Sequence, residues 1–587
     1  MFTTRPEIAG TFGVVATTHW LASGVGMAVL ERGGNAFDAA CAAGFALQVA
    51  EPHLNGPGGD APIILHSAAT GTQHVICGQG PSPAAATLDA FEQLGLELIP
   101  GTGFLPAVVP GAFGAWCRML REWGTWELAD VLAFAIGYAQ RGVPLVPRIC
   151  ATIETMRPLF EAEWPTSAAV FLPHGRAPAI ETPFRNPGLG ETYARILREA
   201  VGGTREARIE AAERAWYQGF VAEAVGRFFA ADPVLDASGR RHRGLLTAQD
   251  FATWRATVED PVRFDYHGHT VLKCGAWSQG PAFLQQLALL AGFDLAAMDP
   301  VGPDFVHTVT ECAKLAFADR EAFYGDVPDV PLGTLLSPAY NDARRALVGA
   351  DASLALRPGA VDGHTPWVDH AAAGRTGLFT AGSGEPTVSR LGVSGGDTVH
   401  VDVIDRWGNM VSATPSAGWL QSSPVVPELG FPMGSRGQMF WLKPGLPNSL
   451  APGKRPRTTL SPSFALRDGK PWMAFGTPGG EQQDQWSLTF FVRMVHHRLG
   501  IQQAIDLPSF HSEHWPSSFW PRAARPGKLV LEGRFPRATL DALLARGHLA
   551  EMGEDWSEGR LSAARTEGEM LYAGANPRGM QGYAVGR

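Results

Sequence analysis

The segment that begins at Thr398 has the residue types of a nucleophile placed at the start of a β-strand. Its side chains alternate between valines on one predicted face and polar groups on the other: Val399, Val401 and Val403 against Thr398, His400 and Asp402. If the chain is cut just before a hydroxyl residue, the freed α-amine can accept the hydroxyl proton near neutral pH. The pattern permits Thr398 to be a nucleophile exposed by cleavage after Asp397, although a Thr that opens a strand is, taken alone, far more often structural.

A second hydroxyl group is predicted to lie beside Thr398 through a β-hairpin. Turn-forming residues at 405–409 separate the first strand from a returning strand at 410–414. If the turn is centred near Trp407 and the strands contain no bulge, antiparallel pairing places Ser416 opposite Thr398. We therefore expect the two hydroxyl groups to be neighbours.

The elements that would position this hairpin are predicted from periodicity and capping residues. Residues 13–16 read as a short strand, followed by a helix from Ser23 to about residue 32 and an Ala-rich helix from Asp38 to about residue 49. A glycine-rich stretch at 51–59 then enters a strand at 62–66; no Gly-Lys-Ser/Thr follows it, so a tight turn is favoured over a phosphate loop. An apolar stripe predicts a further helix at 305–323.

A long connector is predicted before the nucleophile. Residues 349–397 are rich in Gly, Ala, Ser, Thr and Pro and lack sustained apolar patterns, which favours an exposed, flexible segment that can present a scissile bond. Within it, residues 392–396 match Gly-x-Ser-x-Gly, with Ser394 as the central residue. That nucleophile elbow must follow a strand and open a helix, whereas here a strand follows. Ser394 is therefore disfavoured as the nucleophile.

Composition excludes several classes of function. The chain has 587 residues and a formal net charge of -9, without a long basic run, which disfavours nucleic acid and membrane partners. No signal peptide is visible, so we expect a cytoplasmic protein. The six cysteines lack Cys-x-x-Cys spacing, and neither His496–His497 nor His511-Ser512-Glu513-His514 has the helical His-Glu-x-x-His spacing. We expect no metal and no cofactor.

The chain resembles the gamma-glutamyltranspeptidase family over nearly its whole length. The motifs that carry the resemblance are Leu-Glu-Arg-Gly-Gly-Asn-Ala-Phe-Asp-Ala-Ala at 30–40, Glu-Pro-His at 51–53, Val-Pro-Gly at 109–111, Ala-Phe-Ala-Asp-Arg at 316–320, Asp-Thr-Val-His at 397–400 and Gly-Thr-Pro-Gly-Gly at 476–480. Several ordered motifs do not coincide by chance, so the resemblance implies an N-terminal nucleophile hydrolase.

The resemblance implies both an architecture and a set of catalytic roles. The fold would be α/β (α+β), a four-layer αββα sandwich formed jointly by a large subunit, 1–397, and a small subunit, 398–587, both cut from one precursor. Thr398 would form the acyl-enzyme, Ser416 would hydrogen-bond the nucleophile, and Gly479 and Gly480 would donate backbone N–H groups to the oxyanion. The substrate would be a small-molecule amide, and a homo-oligomer of heterodimers is possible.

The residues that correspond to the family's glutamate-binding positions are altered. Gln79 stands where family members acting on glutathione have an Arg, and it lacks the charged fork that binds a carboxylate. Thr458 and Thr459 keep the hydroxyl groups of a Ser pair, whereas Gly418 replaces an amide and Trp441 an acidic residue. We therefore expect a small amide substrate other than ordinary glutathione, as in the acylase and oxamate amidohydrolase branch of the family.

Two alternatives stay open at this stage. The protein could be a genuine gamma-glutamyltransferase or glutathione hydrolase despite its altered pocket. It could also be a noncatalytic, unprocessed relative that acts as a binding protein. The sequence does not identify the acyl group or the acceptor, and it does not separate hydrolysis from transfer.

Overall fold

A computed structural model describes residues 2–180, 182–375 and 398–587 of the chain. The strands are β1 (Ile8–Gly10), β2 (Gly13–Thr17), β3 (Ile63–Ser67), β4 (Thr72–Cys77), β5 (Val143–Pro144), β6 (Pro183–Phe184), β7 (Val234–Leu235), β8 (Arg241–His242), β9 (Thr257–Glu259), β10 (Val262–Tyr266), β11 (His269–Lys273), β12 (Val401–Asp405), β13 (Met410–Ala413), β14 (Ser463–Arg467), β15 (Lys470–Gly476), β16 (Phe510–Ser512), β17 (Lys528–Leu531), β18 (Leu549–Met552), β19 (Ser562–Glu567), β20 (Met570–Ala575) and β21 (Tyr583–Gly586).

The α-helices connect and cover these strands. They are α1 (Trp20–Glu31), α2 (Ala36–Ala50), α3 (Leu88–Gln93), α4 (Ala112–Trp123), α5 (Leu128–Arg141), α6 (Pro147–Ala162), α7 (Pro165–Phe171), α8 (Pro187–Glu199), α9 (Arg205–Tyr217), α10 (Phe220–Ala231), α11 (Ala248–Ala252), α12 (Gly280–Leu290), α13 (Pro303–Phe323), α14 (Leu332–Leu335), α15 (Pro338–Arg345), α16 (Gln483–His497), α17 (Ile501–Asp506) and α18 (Arg537–Ala545). Within the described ranges, no helix is both long and apolar enough to cross a membrane.

Two antiparallel seven-stranded sheets form the centre of the molecule. The first sheet has the strand order β21-β2-β12-β13-β3-β4-β9, and the second has the order β1-β20-β19-β15-β14-β11-β10. Both sheets take strands from each side of the 397–398 peptide bond; in the first sheet, β12 and β13 lie between β2 and β3. The two predicted subunits therefore build one common sandwich.

Alternating side chains divide the core into layers. Val15 of β2 belongs to the core between the first sheet and the helices α1, α2, α4 and α5, whereas its neighbour Val14 packs between the two sheets. In the second sheet, Ala474 of β15 also faces the space between the sheets, and Phe475 packs with α12, α13 and α16 on the outer side. This helix–sheet–sheet–helix arrangement confirms the predicted αββα sandwich.

The hairpin has the predicted register. Val401 pairs with Ala413 and Asp402 with Ser412, and the same register continues to an isolated antiparallel bridge between Thr398 and Ser416. Continuous strand pairing begins only at Val401, three residues later than the alternation predicts. The prediction that Ser416 lies opposite Thr398 is confirmed.

Two predicted helix starts are wrong by a few residues. The first helix begins at Trp20, capped by His19, and the predicted cap Ser23 lies inside it. The second helix begins at Ala36 because the side chain of Asn35 accepts hydrogen bonds from two backbone N–H groups; Asp38 closes the capping box instead of starting the helix. The helix predicted at 305–323 is confirmed as Pro303–Phe323.

The described part of the predicted connector, residues 349–375, is irregular apart from a short 3-10 turn at His370–Gly374. Three of its apolar side chains are buried: Val361, Val368 and Ala372. Val361 and Val368 join a small core with residues of α12 and α13. Most other residues at 349–375 are exposed or half-buried, so the connector remains a prediction. Residues 376–397, which include Ser394 and Asp397, lie outside the described residues.

Candidate active site

Thr398 and Ser416 form the centre of the candidate site. Thr398 donates a hydrogen bond from Oγ1 to Ser416 Oγ over 3.1 Å, and each residue is only 1% exposed. The backbone N–H of Val399 donates to Pro415 O at 3.0 Å, which fixes the orientation of the first strand residues. The arrangement holds the predicted nucleophile against a second hydroxyl in a buried setting.

A buried polar network occupies the face of the strand that follows Thr398. His400 Nδ1 lies 2.9 Å from Thr414 Oγ1, and His400 Nε2 lies 2.9 Å from Asp402 Oδ1. The other oxygen of Asp402 accepts from Ser562 Oγ at 2.8 Å, which connects the two sheets. Burial raises the pKa of Asp402, and His400 opposes that shift. Because both ring nitrogens of His400 are already engaged, this network is suited to holding the strands together.

The glycine-rich stretch packs its backbone directly against Ser416. Asp60 N donates to Ser416 O at 2.8 Å, and Ser416 N donates to Asp60 O at 3.0 Å. A Cβ on Gly59 would lie 2.1 Å from Ser416 O, and one on Gly56 would lie 2.2 Å from Gly418 O. The glycines therefore permit a close approach between two backbones.

A buried ion pair beside Ser416 was missed by sequence reasoning. Arg436 Nε donates to Asp60 Oδ2 at 2.7 Å, and both residues are 1% exposed. Burial raises the pKa of Asp60, while Arg436 stabilises its charged form and opposes the shift. Asp60 directly follows the glycine stretch, which is the one sequence signal that points to it.

The predicted oxyanion loop is held by its carbonyl groups. Gly480 O accepts from Gln279 Nε2 at 3.2 Å, and Gly479 O accepts from the side chain of Gln483. Gly479 has φ +128, a conformation that side-chain-bearing residues rarely adopt. Neither glycine N–H has an acceptor among the residues that the structure describes. The loop therefore retains two donors that an oxyanion can use.

Among the predicted substrate-binding residues, two hold unused hydrogen-bonding groups. Gln79 is 1% exposed, and neither its amide oxygen nor its amide nitrogen has a partner in the described part of the chain; the hydroxyl of Thr459 is in the same situation. Thr458 differs, because its hydroxyl accepts from Leu460 N and its carbonyl accepts from Gln279 N. Gln79 and Thr459 therefore have the capacity to bind a ligand.

The other two predicted substrate-binding residues have structural contacts. Gly418 has φ +68, and a Cβ there would lie 3.0 Å from the backbone of Gly58 and Gly59. The indole N–H of Trp441 donates to Glu321 Oε1 at 3.0 Å, and its ring stacks on the guanidinium of Arg522, 3.6 Å from the ring centroid. Trp441 therefore has its hydrogen-bond donor committed to a buried carboxylate.

Glu321 belongs to a buried group of charges that the sequence did not predict, and which we call the arginine cluster. Its members are 4% exposed or less: Arg320, Glu321, Arg457, Glu481 and Arg522. Arg457 binds Glu321 at 2.6 Å, and Arg320 binds Glu481 at 3.2 Å. Arg320 also donates to Gln279 Oε1 at 3.0 Å, so one side chain connects the cluster to Gly480. Only Arg320 lies in a motif recognised in the sequence.

The histidine segments do not form a metal site with one another. His496 Nε2 pairs with Tyr266 at 2.7 Å, and His511 lies between Glu558 and Glu513 at 2.5 and 3.5 Å. Elsewhere, His307, Glu311 and His548 have the spacing of metal ligands. Their carboxylate already binds Lys314 at 2.6 Å and Arg357 at 3.3 Å, which is unfavourable for a further cation.

The sequence profile named Gamma-glutamyltranspeptidase matches residues 22–586 of the chain. The glutathione hydrolase-like YwrD proenzyme of Bacillus subtilis (strain 168) is 31% identical, with 99% of each chain covered. The acylase ACY 1 proenzyme of Pseudomonas sp. (strain V22) is 32% identical, with 93% of this chain and 88% of the relative covered. The oxamate amidohydrolase proenzyme of Klebsiella pneumoniae is 30% identical, with 98% of each covered.

Solved structures agree with these sequence relationships. The structure named LmbA2991HD superposes with a TM-score of 0.94 at 55% identity, covering 100% of both chains. The cephalosporin acylase of Bacillus halodurans superposes with a TM-score of 0.83 at 29% identity, covering 100% of this chain and 98% of the other. The similarity extends over the whole sandwich, including the chain segments before and after residue 397 that form the candidate site.

Proposed function

The chain belongs to the gamma-glutamyltranspeptidase family, and from this premise we propose that it cuts itself between Asp397 and Thr398 and then cleaves a small amide through Thr398. Relatives named as acylase and amidohydrolase make the protein an enzyme of the hydrolase or transferase type. Those relatives are also named proenzymes, which is consistent with two subunits from one precursor. We propose the roles of the individual site residues and the class of substrate from the geometry of the site.

Self-cleavage would be an N-to-O acyl shift followed by hydrolysis. Thr398 Oγ1 attacks the Asp397 carbonyl carbon, the C–N bond breaks, and the departing nitrogen takes a proton. Water then hydrolyses the resulting ester, which leaves a carboxylate on Asp397 and a free α-amine on Thr398. The 3.1 Å bond to Ser416 supports this role, because it fixes the direction of the attacking hydroxyl.

Turnover would use the same hydroxyl with the new amine as its base. The α-amine of Thr398 accepts the hydroxyl proton as Oγ1 attacks the substrate carbonyl, and Gly479 and Gly480 N–H groups stabilise the oxyanion. The amide C–N bond then breaks, and the leaving amine departs with a proton. Water completes hydrolysis of the acyl-enzyme, or an acceptor amine completes transfer.

The pocket residues support an amide other than ordinary glutathione. Gln79 is uncharged and buried, so it provides no counter-ion for the α-carboxylate of a glutamyl group. Trp441 provides an indole in place of a carboxylate, and its N–H is occupied by Glu321. The names acylase and oxamate amidohydrolase among the relatives agree with a substrate of this kind. A glutathione-hydrolysing enzyme is the competing reading, since relatives of that name also match.

The first experiment is the intact mass of freshly purified protein under denaturing conditions. Two fragments, the smaller beginning at Thr398, are expected for the wild type, and a single uncut, inactive chain is expected for Thr398→Ala. A cleaved and active Thr398→Ala variant would refute the nucleophile. A wild-type chain that stays uncut would favour the noncatalytic reading, and strong glutathione hydrolysis would favour the competing substrate.

A further inference from the structure

The arginine cluster carries more positive than negative charge. It contains three arginines and two glutamates, so its net charge is +1 with all members ionised. Glu321 is shared by Arg320, Arg457 and Arg522, whereas Glu481 contacts Arg320. A buried group of charges is stable only when it is balanced. One cation in this cluster therefore lacks a counter-ion among the described residues.

Arg522 is the member with the weakest compensation. It is 0% exposed, and its contact with Glu321 is 3.4 Å long, compared with 2.6 Å for Arg457. Its Nη1 donates to the carbonyl oxygens of Met439 and Ser518, which are neutral acceptors. Its Nε–H has no partner among the described residues. The edge formed by Nε and Nη2 is the one that binds a carboxylate side-on.

The backbone at Arg522 is held in an unusual conformation. Its φ is +61, which lies in the left-handed region that residues with side chains seldom occupy. Strain of this kind is concentrated at functional sites, where the surrounding structure imposes it. Trp441 covers one face of the guanidinium, so the side chain is fixed in direction as well as in position.

Burial and the neighbouring arginines lower the pKa of Arg522 against the opposing effect of the glutamates. Burial lowers the pKa of Arg522 to about 9; Glu321 opposes that shift, while Arg457 reinforces it. Glu321 already neutralises several arginines. Burial would raise the pKa of its carboxyl, but Arg457, Arg522 and Arg320 outweigh burial and lower it to about 2. An additional carboxylate near Arg522 would restore its compensation.

The cluster is joined to the reaction centre by short contacts. Glu481 directly follows Gly480 in the chain, and Ser518 N donates to Glu481 Oε1 at 2.7 Å. Gln279 connects Arg320 with the carbonyl of Gly480. A charge bound at the cluster therefore lies close to the loop that would hold the oxyanion. Thr398 is 1% exposed in the uncut chain, so the processed enzyme is the form in which we expect a substrate to bind.

We propose that Arg522, stacked on Trp441, binds a carboxylate of the substrate, so that the enzyme acts on anionic acid amides. This inference rests on the proposed function. Arg522, held against Trp441, would then supply the cation that Gln79 does not. The substrate class is a short acid that carries one free carboxylate and one amide.

The test compares acid amides with their neutral diamides in the processed enzyme. The matched pairs are oxamate and oxamide, malonamate and malonamide, and succinamate and succinamide, with ammonia release and the shift in Tm as readouts. We expect at least one acid to exceed its diamide by tenfold or more in kcat/KM, or to raise Tm where the diamide does not. Equal or better use of the diamides, or no response to any acid, would overturn the substrate class.

Substitutions at residue 522 test whether Arg522 causes the preference for the acid over its diamide. Arg522→Gln is expected to abolish the preference for the acid, and Arg522→Lys, which keeps the charge without the fork, is expected to retain part of it. The matched control is Arg493→Lys, because Arg493 is equally buried and donates to the carbonyls of Pro300 and Pro508 away from the cluster.

An unchanged preference in both Arg522 variants would overturn the assignment. Self-cleavage is measured on the same samples by intact mass. A failure to process therefore reports on Thr398 and the proposed function, whereas a processed enzyme without anion preference reports on Arg522 alone.

Discussion

Thr398 and Ser416 occupy opposite positions of one antiparallel pair, and their hydroxyl oxygens are 3.1 Å apart. Three chain segments hold this relationship, because Val399 binds Pro415 and the backbone of Ser416 exchanges two hydrogen bonds with Asp60. The proposed nucleophile is thus oriented in the uncut chain by contacts that do not depend on a free α-amine. An orientation fixed in advance lowers the entropic cost of attack.

Ser416→Ala should slow both self-cleavage and turnover. The variant removes the acceptor of the Thr398 hydroxyl and leaves that group without its partner, and a net loss of about 1 to 1.5 kcal/mol corresponds to roughly tenfold in rate. Processing is followed by intact mass over time, and turnover by single-substrate kinetics. Ser416→Thr should keep most of the rate.

Ser422→Ala is the matched control for this prediction, since Ser422 is a buried serine whose hydroxyl donates to Trp419 and Met433 carbonyls. If both alanine variants process at the same reduced rate, the effect is one of general stability and not of nucleophile orientation.

Gly59→Ala should prevent correct assembly of the site. Its Cβ would lie 2.1 Å from Ser416 O and 2.4 Å from Ala417 O, so the strand that carries Ser416 must move. Overpacking of this kind costs about 1 to 3 kcal/mol, which would lower Tm and disturb the hydroxyl pair together. The measurement is a thermal melt combined with the processed fraction at a fixed time.

Gly24→Ala gives the control for that substitution. Gly24 lies in α1, nothing lies within 4 Å of the added Cβ, and its φ is ordinary. It should leave processing unchanged and keep or slightly raise Tm. A Gly59→Ala protein that melts and processes like the wild type would show that the glycine stretch is not required for close approach.

Sequence reasoning succeeded where the signal was local. Alternation and a turn near Trp407 were sufficient to predict that Ser416 faces Thr398, because register follows directly from turn geometry when no bulge intervenes. The start of α2 was wrong by two residues because Asn35 and Asp38 are both acceptable caps, and only the folded geometry shows which one accepts the first N–H groups.

The arginine cluster was beyond the reach of the sequence for a different reason. Arg320, Arg457 and Arg522 are far apart in the chain, and although Arg320 lies in a recognised motif, nothing in the sequence around the three indicates that they meet. Their burial depends on the packing of α13 against segments near 457 and 522. Long-range charge pairing of this kind needs the tertiary structure.

His511 should make stability depend on pH between neutral and alkaline conditions. Burial would lower the pKa of His511, but Glu558 and Glu513 outweigh burial and raise it to about 10. A His whose pKa is raised on folding stabilises the fold fully below its unfolded pKa of about 6.5 and loses that contribution as pH rises toward 10. Wild-type stability in urea should therefore fall from pH 7 to pH 9 more steeply than that of His511→Gln.

The control for this pH effect is His496→Gln. Burial lowers the pKa of His496 to about 4, so this side chain is neutral throughout the range from pH 7 to pH 9. Its replacement should leave the slope of stability against pH unchanged. Parallel slopes for the wild type and His511→Gln would show that the buried His511 is not charged in the folded protein.

Gln79→Met should weaken substrate binding without lowering the stability of the fold. Gln79 is buried with both amide atoms unpartnered among the described residues, so the fold gains no hydrogen bond from it and loses none when it is replaced by an apolar side chain of similar length. We expect Tm to be equal to or higher than that of the wild type. If the amide contacts the substrate, KM should rise by roughly tenfold while self-cleavage keeps its rate, because self-cleavage involves no bound substrate.

Gln286→Met is a suitable comparison, since Gln286 is also fully buried but donates to two backbone carbonyls, so that its replacement should lower the stability of the fold. A Gln79→Met enzyme with lower Tm and unchanged KM would assign Gln79 to the packing of the fold and remove it from the substrate pocket.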